Sequence, residues 1–217
     1  MVVTDIKRKG KSEIYKVFVN DEFFSLFEGE VIVKNHIKIG VEYDSEKLNT
    51  FKNESDIIVC YEMALNYVSK SIKTKLQVKT YLKKYKFGNE IIDSSIKKLE
   101  DYGYINDGYY ANLVVGSMSN NRGKRYIKNQ LMLKGVSEQN INCALENIDN
   151  EDEACENVAS KWLKGKPLPL DKKNKEKLYR FLLGRGFEYE TIKRVMNNKN
   201  IFGEEDGWNW FNWGWKN

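Results

Sequence analysis

The apolar positions of this chain change period near residue 55. Before that point, short apolar runs are separated by turn residues. Val17, Phe18 and Val19 are followed by Asn20-Asp21 and then by Phe23, Phe24, Leu26 and Phe27. Two apolar runs around such a pair predict a β-hairpin. Val31, Ile32, Ile37 and Ile39 lead on to Gly40 and a further short strand over 41–43. Residues 1–51 therefore read as a small β-rich module with one helical turn. Beyond it Ile57, Ile58, Tyr61, Ala64, Leu65 and Val68 follow the i, i+3, i+4, i+7 spacing of a helix face. Ser55 or Asp56 is placed to cap that helix. The helical period persists to residue 199. It is interrupted by short loops and by the segment KGKPLPLDKK, whose Pro167 and Pro169 no helix crosses intact.

The helical part repeats itself. Leu82, Leu131 and Leu182 lie 49 and 51 residues apart. The same offsets relate Val78, Ile127 and Leu178; Phe87, Val136 and Phe187; Ile92, Ile141 and Ile192; and Ile96, Leu145 and Met196. Fixed-period self-similarity marks a repeat architecture. Thr74, Gly123 and Asn174 precede the first of these positions by four residues, where an N-cap is required, and Thr74 with Gln77 forms a capping box. Gly135 and Gly186 stand where a left-handed residue ends the second helix. The apolar residue at Phe87, Val136 or Phe187 precedes a cap at Gly88, Ser137 or Glu188. It pairs with the isoleucine five positions on as a hydrophobic staple.

Each unit is thus expected to hold three helices. The first helices fall at about 56–70, 108–119 and 152–164, and the third at about 89–101, 138–148 and 189–199. The expected fold is mainly α. Three tandem three-helix repeats (52–106, 107–150 and 151–200) form an elongated curved array after the β-rich module. A Trp-rich tail occupies 201–217. A unit of about 45 residues buries little alone, so stacking supplies the missing core. Such an array offers a long flank and no deep pocket.

Composition narrows the function. The net charge is +5, with 8 basic against 9 acidic residues in 1–51, 27 against 19 in 52–200, and 1 against 3 in the tail. The basic surplus of the middle favours an anionic partner. No apolar run is long enough for a membrane span and no signal-peptide pattern opens the chain, so a cytoplasmic location is expected. Cys60, Cys143 and Cys155 lack paired spacing and read as buried or half-buried thiols, with neither disulfide nor zinc site. His36 is the single histidine. Gly123-Lys124-Arg125 lacks the hydroxyl residue and upstream strand of a phosphate-binding loop. The pair Asp149–Glu153 falls in a polar linker. Nothing assembles nucleophile, base and oxyanion donors, so no enzyme, metal or cofactor is expected.

The stretches LEDYGYINDGYYA (99–111), RGKRYIKNQLMLKGV (122–136) and LYRFLLGRGFEYETIKRVM (178–196) resemble the RecX family of bacterial recombination regulators. The likeness covers 56–199 well and the N-terminus loosely. A monomer is expected, and the likeness implies that it lies along the groove of the RecA nucleoprotein filament. There it modulates, and most often inhibits, ATP hydrolysis, strand exchange and coprotease activity in DNA repair, recombination and the SOS response. It implies no catalytic residues. A helical protein acting directly on single- or double-stranded DNA is the alternative, since basic second helices also suit groove binding.

The candidate contact residues are basic ones on the second helices. Lys75, Lys124 and Lys175 recur just after the caps, and Lys79 with Lys128 recur in two copies. Arg122 and Arg125 flank Lys124 in the densest cluster, and Arg180 follows on the third copy. Cations on one face suit phosphates or an acidic protein surface, although a solvated helix face has the same composition. Asp107 is expected to cap the helix after it, and Trp162 to pack inside the third unit. Trp208, Trp210, Trp213 and Trp215 in the tail are candidate docking residues.

Overall fold

The computed structural model describes residues 1–148, 150–168 and 170–198. They divide into two units, Met1–Asn106 and the chain from Asp107 onward.

The first unit opens with strands β1 (Val3–Arg8), β2 (Ile14–Val19) and β3 (Glu22–Glu28), antiparallel in the order β1-β2-β3. Asn20 and Asp21 both take positive φ, 49° and 66°, as the favoured two-residue hairpin turn demands. Strand β1, with Asp5, Lys7 and Arg8 among its six residues, carried no apolar alternation to announce it. The strand expected over 41–43 is reduced to one bridge between Val2 and Glu42. The expected helical turn is α1 (Gly29–Lys34).

Helix α2 (Ser45–Ser69) corrects the expected start at 56. Its cap is Asp44, whose carboxylate accepts the amides of Glu46 and Lys47. Ser55 and Asp56 are not caps but lie buried in mid-helix. The Ser55 hydroxyl accepts the amide of Glu28 at 2.6 Å, and Asp56 accepts the Ser25 hydroxyl at 3.4 Å and the Lys52 ammonium at 2.5 Å. The helix serves two cores. Leu48 and Phe51 pack with Val3, Val17 and Phe27 of the sheet, while Val59, Cys60, Met63 and Ala64 pack with the repeat that follows. A helix that changes its buried face partway loses the single stripe by which such elements are read.

Burial pushes the Asp56 carboxyl up, against the pull of Lys52 and Ser25. A raised folded-state value makes its contribution to stability complete below the unfolded value, near 4, and lost as pH rises through the folded value. The stability of Asp56→Asn relative to the native chain is therefore expected to improve between pH 4 and pH 7. Urea unfolding at both pH values measures it; a variant that loses stability relative to the native chain between pH 4 and pH 7 would contradict the assignment.

Three helix triplets follow. The first is the C-terminal half of α2 with α3 (Lys75–Lys83) and α4 (Asn89–Asp101). The second is α5 (Asp107–Met118), α6 (Lys124–Leu133) and α7 (Glu138–Glu146). The third is α8 (Glu151–Leu163), α9 (Lys172–Gly184) and α10 (Tyr189–Met196). The Thr74–Gln77 capping box is present. Helix α9 starts earlier than expected: Asp171 is its cap and accepts the amide of Asn174 at 2.8 Å. Asn174 therefore sits in the first turn, and Lys175 lies one residue deeper. Asp107 is the first residue of α5 rather than a cap before it. Cys60 and Cys155 are buried but Cys143 is exposed, which corrects the reading of all three as sheltered; burial pushes the Cys155 thiol up to about 12.

The repeated register is the buried set. Val78, Leu82, Ile127, Leu131, Leu178 and Leu182 are fully buried, as are Ile92, Ile141 and Ile192. Phe87, Val136 and Phe187 are buried beside them, while Leu145 and Met196 pack half-buried on their cores. The residue just before each of Phe87, Val136 and Phe187, in the turn after the second helix, has positive φ: 62° at Lys86, 76° at Gly135 and 87° at Gly186. Lysine adopts that region at a cost that glycine does not bear. Lys86→Gly is expected to stabilise the first unit by about 0.5–1 kcal/mol, the relief of strain being partly offset by a more flexible unfolded chain. Chemical denaturation checks the sign.

Candidate functional site

The second helices place the candidate cations, and most are braced from within their own repeat. Lys75 on α3 pairs with Glu100 on α4 at 3.0 Å, and Lys79 with Asp93 at 2.5 Å. Lys128 on α6 pairs with Glu138 on α7 at 3.1 Å. Recurrence at these positions thus ties second helix to third helix. Exposed pairs of this kind contribute little, about 0–1 kcal/mol each, so they orient side chains more than they hold the fold. Lys175 lies in the first turn of α9. Arg180 is 73% exposed at its side chain and lies 3.9 Å from the Glu176 carboxylate.

The cluster around Lys124 sits at a joint between the second and third repeats. The amide of Gly123 donates to the carbonyl of Arg185 at 3.1 Å. The Arg125 guanidinium donates to the carbonyl of Leu183 at 3.0 Å. The amide of Lys124 donates to the Glu151 carboxylate at 2.7 Å. Gly123 and Gly186 let the backbones meet: a Cβ on Gly123 would lie 2.2 Å from the Gly186 carbonyl oxygen, and one on Gly186 would lie 2.4 Å from Cβ of Tyr126. Burial raises the Glu151 carboxyl, with the Lys124 amide opposing and Glu188 adding to the shift. Because this carboxylate already occupies the N-terminus of α6, that helix end is closed to an outside anion.

The three cations of the cluster therefore have different duties. Arg125 is spent on the joint. Arg122 stacks over Tyr126, 4.5 Å from the ring centre. Lys124 contributes its backbone to the joint and keeps its half-buried side chain at the surface. Arg185 stacks over Phe181 at 4.8 Å nearby. Sequence reasoning placed Gly186 as a left-handed residue but did not find its close approach to Tyr126, nor Glu151 or the Arg194–Asp152 pair, whose two bonds of 2.7 Å fasten α10 to α8 and hold the Asp152 carboxyl below its usual value. One signal was available: the second repeat has glycine where its neighbours carry Thr74 and Asn174. Trp162 is half-buried against Phe181 and the third core, and Tyr109 is exposed. Trp208, Trp210, Trp213 and Trp215 lie outside the described residues, as does Asp149.

Among the described residues no group of three or more His, Cys, Asp or Glu is placed to hold a metal ion. No helix among them is long and apolar enough to cross a membrane.

Comparison with known proteins fits a regulator. The family model described as the third three-helix domain of RecX matches residues 149–196. The regulatory protein RecX of Clostridium botulinum is 32% identical over 202 residues, covering 91% of this chain and 95% of that protein. The chain belongs to the RecX family. The RecX of Clostridium tetani is 31% identical over 201 residues, 89% of this chain and 91% of its own. A crystal structure of RecX from Lactobacillus salivarius matches 68% of this chain and 98% of that one, with a TM-score of 0.62 and 28% identity. A second RecX crystal structure, 20% identical with the same TM-score, covers 91% of this chain and 99% of that one and shares its fold. Membership places the chain among regulatory proteins, and the helical fold with a small N-terminal sheet agrees with that placement.

Proposed function

We propose that this chain binds the RecA filament and restrains its ATP hydrolysis, strand exchange and coprotease activity, acting as a cytoplasmic monomer without a cofactor. The observation that carries the reading is the match to regulatory RecX proteins over about nine-tenths of the chain. The basic helix faces support it, because an acidic protein surface or exposed phosphates would meet Arg122, Lys124 and Arg180 without breaking a strong internal pair. The half-buried and exposed cations Lys75, Lys79, Lys128 and Lys175 extend the same chemistry.

The test is ATP hydrolysis by a preformed RecA–single-stranded DNA filament. Substoichiometric amounts of the chain are expected to lower the rate, and full hydrolysis in the presence of excess chain would overturn the reading. Charge reversal belongs at Lys124 and Arg180, not at Arg125, whose guanidinium holds the joint. Lys124→Glu with Arg180→Glu is expected to weaken inhibition while leaving the unfolding curve in place. A second reading, direct action on DNA, is favoured by the surplus of 27 basic over 19 acidic residues in 52–200. Tight, sequence-selective duplex binding at physiological salt without RecA would favour it.

A further inference from the structure

The first unit carries an alternation of lysines and aromatic rings that neither the repeats nor the filament reading uses. It begins on the sheet. The pairing of Lys7 with Lys16, and of Phe18 with both Asp5 and Phe23, sets these residues on the rungs either side of the Ile6–Val17 pair. Lys7 Nζ lies 5.3 Å from the centre of the Phe18 ring, and Phe18 meets Phe23 edge-on at 6.0 Å. Phe23 is 54% exposed. Just past the end of β1, Lys9 reaches off the sheet. Its ammonium lies 3.8 Å from the Met63 sulfur and 4.7 Å from the centre of the Tyr85 ring. Tyr85 is 38% exposed and forms one wall of a groove of about 780 Å³ between the β1–β2 turn and helices α2 and α3. Behind it Tyr81 stands edge-on at 5.4 Å and stacks on Tyr67 at 4.2 Å, with Lys73 over the outer ring at 5.1 Å. Lys11 also lines the groove. The acidic residues nearby are Asp5, paired with Lys7 at 2.5 Å, Glu13, paired with Arg8, the exposed Asp21 and Glu22 beside Phe23, and Glu62 at the groove wall.

We propose that the first unit holds a binding site for single-stranded nucleic acid, running from Phe23 and Phe18 past Lys7, Lys16 and Lys9 to Tyr85. An exposed lysine over a ring is a weak, exchangeable contact. An incoming strand replaces each such contact twice: the ring takes a base and the freed ammonium takes a phosphate. Stacking on aromatic platforms beside a cationic track is how unpaired strands are held without sequence preference. A duplex does not compete, because its bases are already stacked on each other. The site is independent of the filament reading, and its test contains no RecA.

The test is fluorescence anisotropy of a labelled oligothymidylate with the full chain over a range of salt. Binding is expected, weakening as salt rises. Tyr85→Leu and Phe23→Leu keep apolar volume but remove the stacking plane, and each is expected to lower affinity by at least about five-fold. Tyr85→Phe is expected to restore it, which a packing defect would not allow. Lys9→Gln is expected to flatten the salt dependence. Three results would overturn the proposal: no binding by the native chain, unchanged affinity in both leucine variants, or equal affinity for a duplex of the same length.

Discussion

Gly186→Ala is expected to destabilise the second unit by about 3–5 kcal/mol and to part its two repeats. Two costs add. At φ 87° an alanine bears left-handed strain of about 1–2 kcal/mol. Its Cβ would also lie 2.4 Å from Cβ and 2.5 Å from the amide nitrogen of Tyr126, and backbone cannot swing aside as a long side chain can. Relief requires the α9–α10 turn to retreat from α6, and that retreat breaks the Gly123 amide bond to Arg185 and the Arg125 bond to Leu183. Gly123→Ala meets the same wall from the other side, 2.2 Å from the Gly186 carbonyl oxygen, but has negative φ and lacks the strain. It is expected to cost somewhat less. Denaturant unfolding ranks the two, and amide exchange at Gly123 and Lys124 reports the joint. A Gly186→Ala protein with native exchange rates at those amides would show that the close approach is not needed.

The reach of sequence reasoning follows from what each element depends on. The triplet register was readable because one buried stripe per helix, one left-handed turn and one staple recur in three copies, so Leu82, Leu131 and Leu182 each find a core. The hairpin was readable because Asn20-Asp21 is a local signal. Helix α2 was misread at its start because its two halves bury different faces, and the polar pair Ser55–Asp56, taken for a cap, instead satisfies the backbone and side chains of β3. The cap of α9 departs from the repeat offset because Asp171, three residues before Asn174, is the better acceptor. The candidate cations were readable as residues but not as roles. Arg125 and Leu183 are 58 positions apart, and no period within one repeat announces a bond between two. For the same reason the lysine–aromatic alternation has no sequence signature: Lys9 and Tyr85 meet only because a hairpin folds against a helix pair.

Leu131→Ala is expected to be the most damaging of the register truncations, at about 3–5 kcal/mol, and to unfold the middle repeat at physiological temperature. Removing a fully buried leucine costs the transfer of its methyl groups plus the cavity left behind, together about 2–5 kcal/mol. Where the cost falls in that range depends on what can collapse into the gap. Around Leu82 the described core holds fourteen buried residues, including Met63 and Phe87, and methionine adapts its shape readily. Around Leu131 it holds eight, of which Ala111 and Ala144 have nothing to extend into a void, and Ile127, Val136 and Ile141 are stiff, branched side chains. The third repeat also leans on the second through Gly123 and Arg125, so loss of α6 packing releases the joint as well. Leu82→Ala and Leu182→Ala serve as matched comparisons: the same atoms are removed, from larger cores. Limited proteolysis between α5 and α7 reads the local effect and denaturant unfolding the global one. If Leu131→Ala proves milder than both partners, the middle repeat draws its stability from neighbours rather than from its own core.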